Sequence, residues 1–168
     1  PHVGVVLNKL RSPRDVTPYR MADQKIILDY CMKDTYNWIF VFLMMSGLRI
    51  SEALGLTWDW IDFDKDVLYV RWTMVEKAGN PYLRKDTKTK AAKREVPLTN
   101  VTRLMLLNLK ELQKGKPNDY NLIFPNTLGG FRTTANLRRR WDQIQAEIGV
   151  QRLNLHALRH TYATNLIT

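Results

Sequence analysis

Hydrophobic patterning divides this chain into three stretches. In the first, Thr17 followed by Pro18 reads as a cap and first turn that open a helix through about Met32. A second helix is predicted from Thr35 to Met45. Its eight residues from Trp38 to Met45 are all apolar, so it has no polar face and reads as the central, buried helix. Gly47 ends it, because glycine takes the left-handed conformation that a helix C-terminus often needs. A short third helix follows from Ser51 towards Leu56.

The pattern changes after Trp60. Val67-Leu68-Tyr69-Val70-Arg71-Trp72 is rich in β-branched and aromatic residues and reads as a strand. Gly79-Asn80-Pro81 marks a turn. Two more short strands are expected at about Tyr82 to Thr87 and Arg94 to Leu98, separated by a basic turn. In the third stretch Asn100 caps a helix whose Leu104, Leu107 and Leu112 can share a core face. Residues Asn126 to Gly130 form a loop. Thr133 or Thr134 opens a helix through about Ile148, closed by Gly149, and a last helix begins near His156. The final residues, Tyr162 to Thr168, carry no cap and no polar tail, as expected of a domain interrupted part-way. The reading is one domain from 17 to 168, preceded by a linker segment over 1–16 with Pro13, Arg11 and Arg14.

Composition sharpens this picture in one respect. Apolar residues at 45% and charged residues at 25% are ordinary for a globular domain, but 26 Lys and Arg face 16 acids, giving a net charge of +10. Such an excess favours a polyanion, nucleic acid before membrane, since no basic amphipathic helix with a Trp/Leu face is evident. Cys31 is the only cysteine, so neither a disulfide framework nor a cysteine-rich metal site is available, and a reducing compartment fits. Residues Pro1 to Leu10 do not read as a signal peptide, and the longest apolar run falls far short of a membrane span.

Two segments carry candidate chemistry. In His156-Ala157-Leu158-Arg159-His160 a helix would set His156 and Arg159 on one face, three residues apart. Far upstream, Ser46-Gly47-Leu48-Arg49-Ile50-Ser51-Glu52-Ala53-Leu54 supplies a second arginine. A guanidinium offers a planar fork matched to phosphate oxygens, and an imidazole exchanges a proton near neutrality. Together they suit phosphoryl transfer on a nucleic acid. Basic residues cluster at Arg84 to Arg94, including Lys85, Lys90 and Arg94, and at Arg138-Arg139-Arg140. Both clusters are candidate phosphate contacts. Consecutive helical residues fan out by about 100°, so all three of the latter cannot face one duplex, and one covers apolar surface with its stem. The tryptophans read as core and rim packing.

The two arginine segments resemble the first and second arginine boxes of the tyrosine recombinase (phage integrase) family. Between them, Thr87-Lys88-Thr89-Lys90-Ala91-Ala92-Lys93-Arg94-Glu95-Val96-Pro97-Leu98 resembles the β-hairpin that delivers the family's active-site lysine. The resemblance covers about residues 17 to 168. It implies a mixed α+β, mainly helical fold of the DNA breaking-rejoining type, with a small three-stranded antiparallel sheet beside the site. It also implies that Arg49 and Arg159 clamp the scissile phosphate, where removing one such group costs about 3–4 kcal/mol of barrier. Lys88 would protonate the departing 5′ oxygen and His156 would assist. Lys90 competes with Lys88 for the lysine role; the family pattern, a lysine just before a threonine in this turn, favours Lys88. No metal or nucleotide cofactor is implied, because the bond energy is kept in a 3′-phosphotyrosyl link. The implied partners are double-stranded DNA and other recombinase subunits, as a tetramer on DNA, with no membrane. The implied setting is the bacterial or phage-encoded cytoplasm, associated with the nucleoid, on a mobile element or phage.

Some residues have plainer readings. Arg49 can pair with Glu52 at i, i+3, and Glu52 is read as local support rather than as catalytic. His160 is read as making a structural hydrogen bond. The family's downstream histidine or tryptophan and its nucleophilic tyrosine have no counterpart, since the chain ends nine residues after Arg159. Tyr162 is no substitute: at 100° per residue it falls with Leu155, Leu158 and Leu166 on an expected core face. The expectation is therefore a recombinase fragment that binds DNA and does not cleave it alone. The alternatives are a type IB topoisomerase-like enzyme and a non-catalytic DNA-binding module.

Overall fold

The helix with no polar face is the one around which the others assemble. In the computed structural model, which describes residues 17–85 and 93–167, Trp38–Ser46 forms α2. Ile39, Phe40, Val41, Phe42 and Leu43 are all but sealed from solvent. The predicted helix from Thr35 starts as a 3-10 turn, Thr35–Asn37, because Asp34 Oδ1 accepts the Tyr36 N–H at 2.9 Å. Gly47 ends α2 with φ of 66°, as predicted.

Elements pack round α2 through named pairs. Trp141 of α5 (Thr134–Ile148) lies 4.9 Å from Phe40, centroid to centroid, and Phe42 lies 5.2 Å from Phe124. α6 (His156–Ile167) packs along α2 with Ala157 and Leu158 buried. α1 (Met21–Cys31) contributes Ile27 and Cys31. It begins later than Thr17 and Pro18 suggest. The Tyr19 N–H is held by Thr161 Oγ1 at 2.9 Å, and the Tyr19 hydroxyl donates to Gln145 Oε1 at 2.5 Å, which draws this stretch into the core before the helix can start. Cys31 is buried, where it packs as a small apolar residue, and burial pushes its thiol up to about 12.

The β region departs from the sequence expectation. β2 (Val67–Val70) sits between β1 (Ile61–Asp62) and β5 (Arg94–Pro97) in an antiparallel sheet, and β3 (Trp72–Lys77) pairs with β4 (Asn80–Lys85) in a separate hairpin. The predicted strand 67–72 therefore changes partner at Arg71, and β1 was not foreseen. A further correction concerns the expected lysine hairpin. β4 pairs with β3 and β5 with β2, so the two strands expected on either side of the basic turn belong to different sheets, while Lys88 and Lys90 themselves lie outside the described residues. The β3–β4 turn is Ala78-Gly79, both at positive φ, one step earlier than predicted because Asn80 and Pro81 already oppose Lys77 and Glu76. Gly55 closes α3 (Ile50–Leu54) where a Cβ would lie 2.8 Å from the Met74 nitrogen, so only glycine lets β3 approach.

α4 (Asn100–Leu112) is capped by Thr99, whose hydroxyl accepts from Thr102 N, rather than by Asn100. Its core face also differs. Met105, Leu106 and Leu109 are buried, while Leu104 and Leu112 face solvent. Apolar residues occupy more of this helix than one face can bury, so periodicity alone did not select the inner side. α5 matches its prediction: Thr133 caps it and Gly149 ends it at φ of 71°.

Candidate active site

Gly47 reverses the chain at the end of α2, and two residues later Arg49 becomes the N-cap of α3 with extended φ and ψ of −69° and 151°. That geometry turns the Arg49 side chain outward, where it is 55% exposed. Glu52, at the third position of the helix, reaches back in the manner of a capping box: Arg49 N donates to its Oε2 at 2.8 Å and Arg49 Nη1 to its Oε1 at 3.2 Å. From β5, Arg94 adds a two-point fork, Nη1 to Oε1 and Nη2 to Oε2, both 2.8 Å. Burial alone would raise the Glu52 carboxyl. The Arg94 hydrogen bonds, the Arg49 backbone donor and both guanidinium charges outweigh it and hold the group below the usual carboxylate range.

The second box is fixed from behind. Thr161, fully buried, donates to Ala157 O at 2.7 Å and accepts from Tyr19 N, which sets the rotation of α6. The Tyr162 ring rests on Gly47, where any Cβ would collide with it. The contact leaves Tyr162 half-buried, with its ring on the α2 terminus, and Leu166 is exposed, so the predicted core face stops at Leu158. His156 is exposed and Arg159 half-buried on the opposite side of the first turns.

The two boxes share one electrostatic environment. Arg159 is held below its ordinary range by burial and then by the positive charge of Arg49, with Arg94 acting in the same sense and Glu52 opposing. His156 is lowered by burial, by His160, and by the charges of Arg159 and Arg49. The positive charge of Arg49 thus depresses both Arg159 and His156, and such a concentration of positive charge is a place for an anion, because a phosphate would relieve those two groups. A groove of about 310 Å³ lined by Gly47, Arg94, Pro97, Arg159, Tyr162 and Leu166 adjoins them. Among the described residues no group of three His, Cys, Asp or Glu forms a metal-ligand set.

Other predicted residues fall into three groups. Lys88 and Lys90 lie outside the described residues, as does the 1–16 linker. Lys85 is exposed at the end of β4, and Arg138 and Arg139 are exposed on α5. Arg94 and Arg140, read as DNA contacts, are engaged internally. Arg94 serves Glu52, and Arg140 Nε donates to Asn37 Oδ1 at 3.1 Å. The hydrogen bond expected of His160 is not made by its Nε2. Its Nε2 is buried without a partner among the described residues, and its ring stands 5.1 Å from that of His156, nearly edge-on. Glu52 is the residue that sequence reasoning undervalued. The i, i+3 spacing to Arg49 was visible, but the fork from Arg94, 42 positions away, was not.

A helical domain with a small antiparallel sheet thus brings Arg49, Arg159 and His156 within each other's electrostatic reach, a positively charged surface suited to an anion. The profile of the phage integrase family matches residues 21–168, and the chain belongs to that family. It is 32% identical over 146 residues to a tyrosine recombinase XerC-like protein of Caldanaerobacter subterraneus, covering 76% of this chain and 37% of that protein. It is 26% identical over 147 residues to the prophage integrase IntR of Escherichia coli, covering 77% and 36%. Among solved structures, the Tn1549 transposon integrase in complex with transposon right end DNA shares the fold, with a TM-score of 0.81 at 23% identity over 96% of this chain and 56% of that one. XerA recombinase aligns with a TM-score of 0.71 at 19% identity, covering 90% and 50%. The chain spans less than half the length of either curated relative, the XerC-like protein or IntR.

Proposed function

We propose that these residues are the greater part of the catalytic domain of a site-specific DNA recombinase. It would integrate or excise DNA by phosphoryl transfer through a 3′-phosphotyrosyl intermediate. The observation that carries this reading is that Arg49, anchored by the buried Glu52, lies close enough to His156 and Arg159 for its charge to act on both. The Tn1549 integrase and the XerH recombinase, solved with transposon and difH DNA, support double-stranded DNA as the partner.

In this mechanism Arg49 and Arg159 grip the non-bridging oxygens of the scissile phosphate and stabilise the extra negative charge of the crowded transition state. A tyrosine oxygen attacks phosphorus, the bond to the 5′ oxygen breaks, and Lys88 supplies the proton to that oxygen. His156 donates a hydrogen bond or proton to the same phosphate. The attacking tyrosine is not Tyr162, whose ring is committed to Gly47. It comes from outside residues 1–168, in the same polypeptide or from a second subunit. Recombinase subunits assemble as a tetramer on paired sites, and residues 1–168 alone bind DNA without cutting it.

The test is covalent capture on a nicked suicide duplex by the full-length protein, read as a denaturant-stable protein–DNA adduct. The adduct is expected in the parent and in Tyr162→Phe, and is lost in Arg49→Ala and Arg159→Ala. Specific binding with no adduct would instead mark a binding module, and supercoil relaxation without joining of partner sites a topoisomerase.

A further inference from the structure

Away from that site, the loop after α4 folds over a cleft of about 390 Å³, within the usual size of a ligand site. Its floor is apolar, with Leu109, Ile123 and Phe124 at the bottom and Leu112 at the rim. Its amides are already engaged by their own loop. Gln113 joins Trp58 Nε1 to Ile123 O, Asn118 clasps both backbone groups of Leu122, and Asn126 holds Gly130 N and Phe131 O. One lining group stands apart from these saturated amides. Arg132 is 4% exposed, with its guanidinium stacked 3.7 Å from the Tyr36 ring centroid and Nη2 donating to Tyr36 O at 2.9 Å. Asp34 reaches it only at longer range, and no ion pair to it forms among the described residues. A buried cation without a counter-ion is costly, and a guanidinium keeps several donors for an incoming oxyanion.

A second observation gives the ligand its shape. Val101, Leu104 and Leu112 are 57%, 59% and 49% exposed. At 100° per residue they fall within an arc of about 80° on α4, a stripe about 16 Å long that runs into the cleft at Leu112. Leu128, 82% exposed, stands in the same loop region. The apolar surface thus extends well past the cleft, further than a small molecule would cover, and matches about five extended residues of peptide. Charge agrees: Lys116 and Arg132 line the cleft against Asp34 alone.

We propose that this face docks an apolar peptide segment of a partner protein, laid along the α4 stripe and anchored by one carboxylate on Arg132. The apolar residues supply the buried area, and the carboxylate gives the buried guanidinium the partner it lacks.

The probe is the peptide Leu-Leu-Phe-Leu-Asp, acetylated and amidated so that the Asp side chain is its only carboxylate, titrated calorimetrically against the full-length protein. Saturable binding is expected, at least about tenfold weaker for the Asn-terminated peptide and for Arg132→Lys, since a two-point charged contact is lost in both. Leu112→Glu, at an exposed position that the fold tolerates, is expected to weaken binding by a similar factor, with the thermal unfolding midpoint checking that both variants are folded. Duplex DNA should not displace the peptide. Equal binding of the Asn peptide would reduce Arg132 to a loop clamp and overturn the proposal. So would displacement by duplex, or hexanoate binding as tightly as the peptide, which would assign the cleft to small carboxylates.

Discussion

Glu52 stays charged while 2% exposed because four donors converge on it. Glu52→Gln keeps the shape but leaves two guanidinium groups partly unpaired, and removing one partner of a buried pair costs about 3–5 kcal/mol. Urea unfolding should show a loss of that order, and a change below about 1 kcal/mol would mean that the fork is dispensable. His156 gives a pH prediction. Its folded value lies below 6.5, so the unfolded chain binds more protons just below that pH, and its contribution to stability is full above about 6.5 and falls as pH drops towards the folded value. A bound phosphate reverses the shift. DNA affinity should therefore rise as pH falls through the region below about 6.5, and His156→Gln should flatten that rise in an anisotropy titration. An unchanged profile in the variant would place the proton elsewhere. Arg49, His156 and Arg159 could be singled out because each lies in a local box, whereas the fork from Arg94 to Glu52 could not, because the two are remote in sequence.

Elements transmit these placements. The end of α2 and the middle of α6 meet where Gly47 and Tyr162 touch, so the α2 terminus and the second arginine box are set by one contact. Gly47→Ala would combine a left-handed backbone with a collision against the ring. A loss of about 1–3 kcal/mol is expected from the backbone conformation alone, together with weakened DNA binding as α6 shifts. Wild-type stability in this variant, measured by thermal unfolding, would show that the helices are not held there. The all-apolar α2 and the Thr133–Gly149 limits of α5 were readable, since caps and continuous burial are local signals. The inner face of α4 was not, because it carries apolar residues on more than one side. Nor was the division of the β region at Arg71, where a strand-forming sequence says nothing of which strand it joins.

For the whole molecule the excess of ten positive charges is the long-range feature. Binding to duplex DNA should weaken steeply with salt, with a log–log slope that falls by about 0.9 for each phosphate contact removed. Arg138→Ala with Arg139→Ala should lower that slope by about one to two units, because both side chains are exposed, while Arg140→Ala should leave it nearly unchanged. Anisotropy at several salt concentrations decides this, and an identical slope in the double variant would remove α5 from the interface. Among the described residues no helix is long and apolar enough to cross a membrane.

What the sequence determined by itself was whatever depends on neighbours three or four residues apart: the helix carrying no polar face, the glycine stops, and the local arginine and histidine boxes that resemble one family. What the tertiary structure decided was pairing at a distance. It alone joined Arg94 to Glu52, set Tyr162 on Gly47, split the strands between two sheets and left Arg132 buried beside an open cleft. The reason is physical, since local spacing fixes which side chains share an element's face, while only packing settles what that face meets.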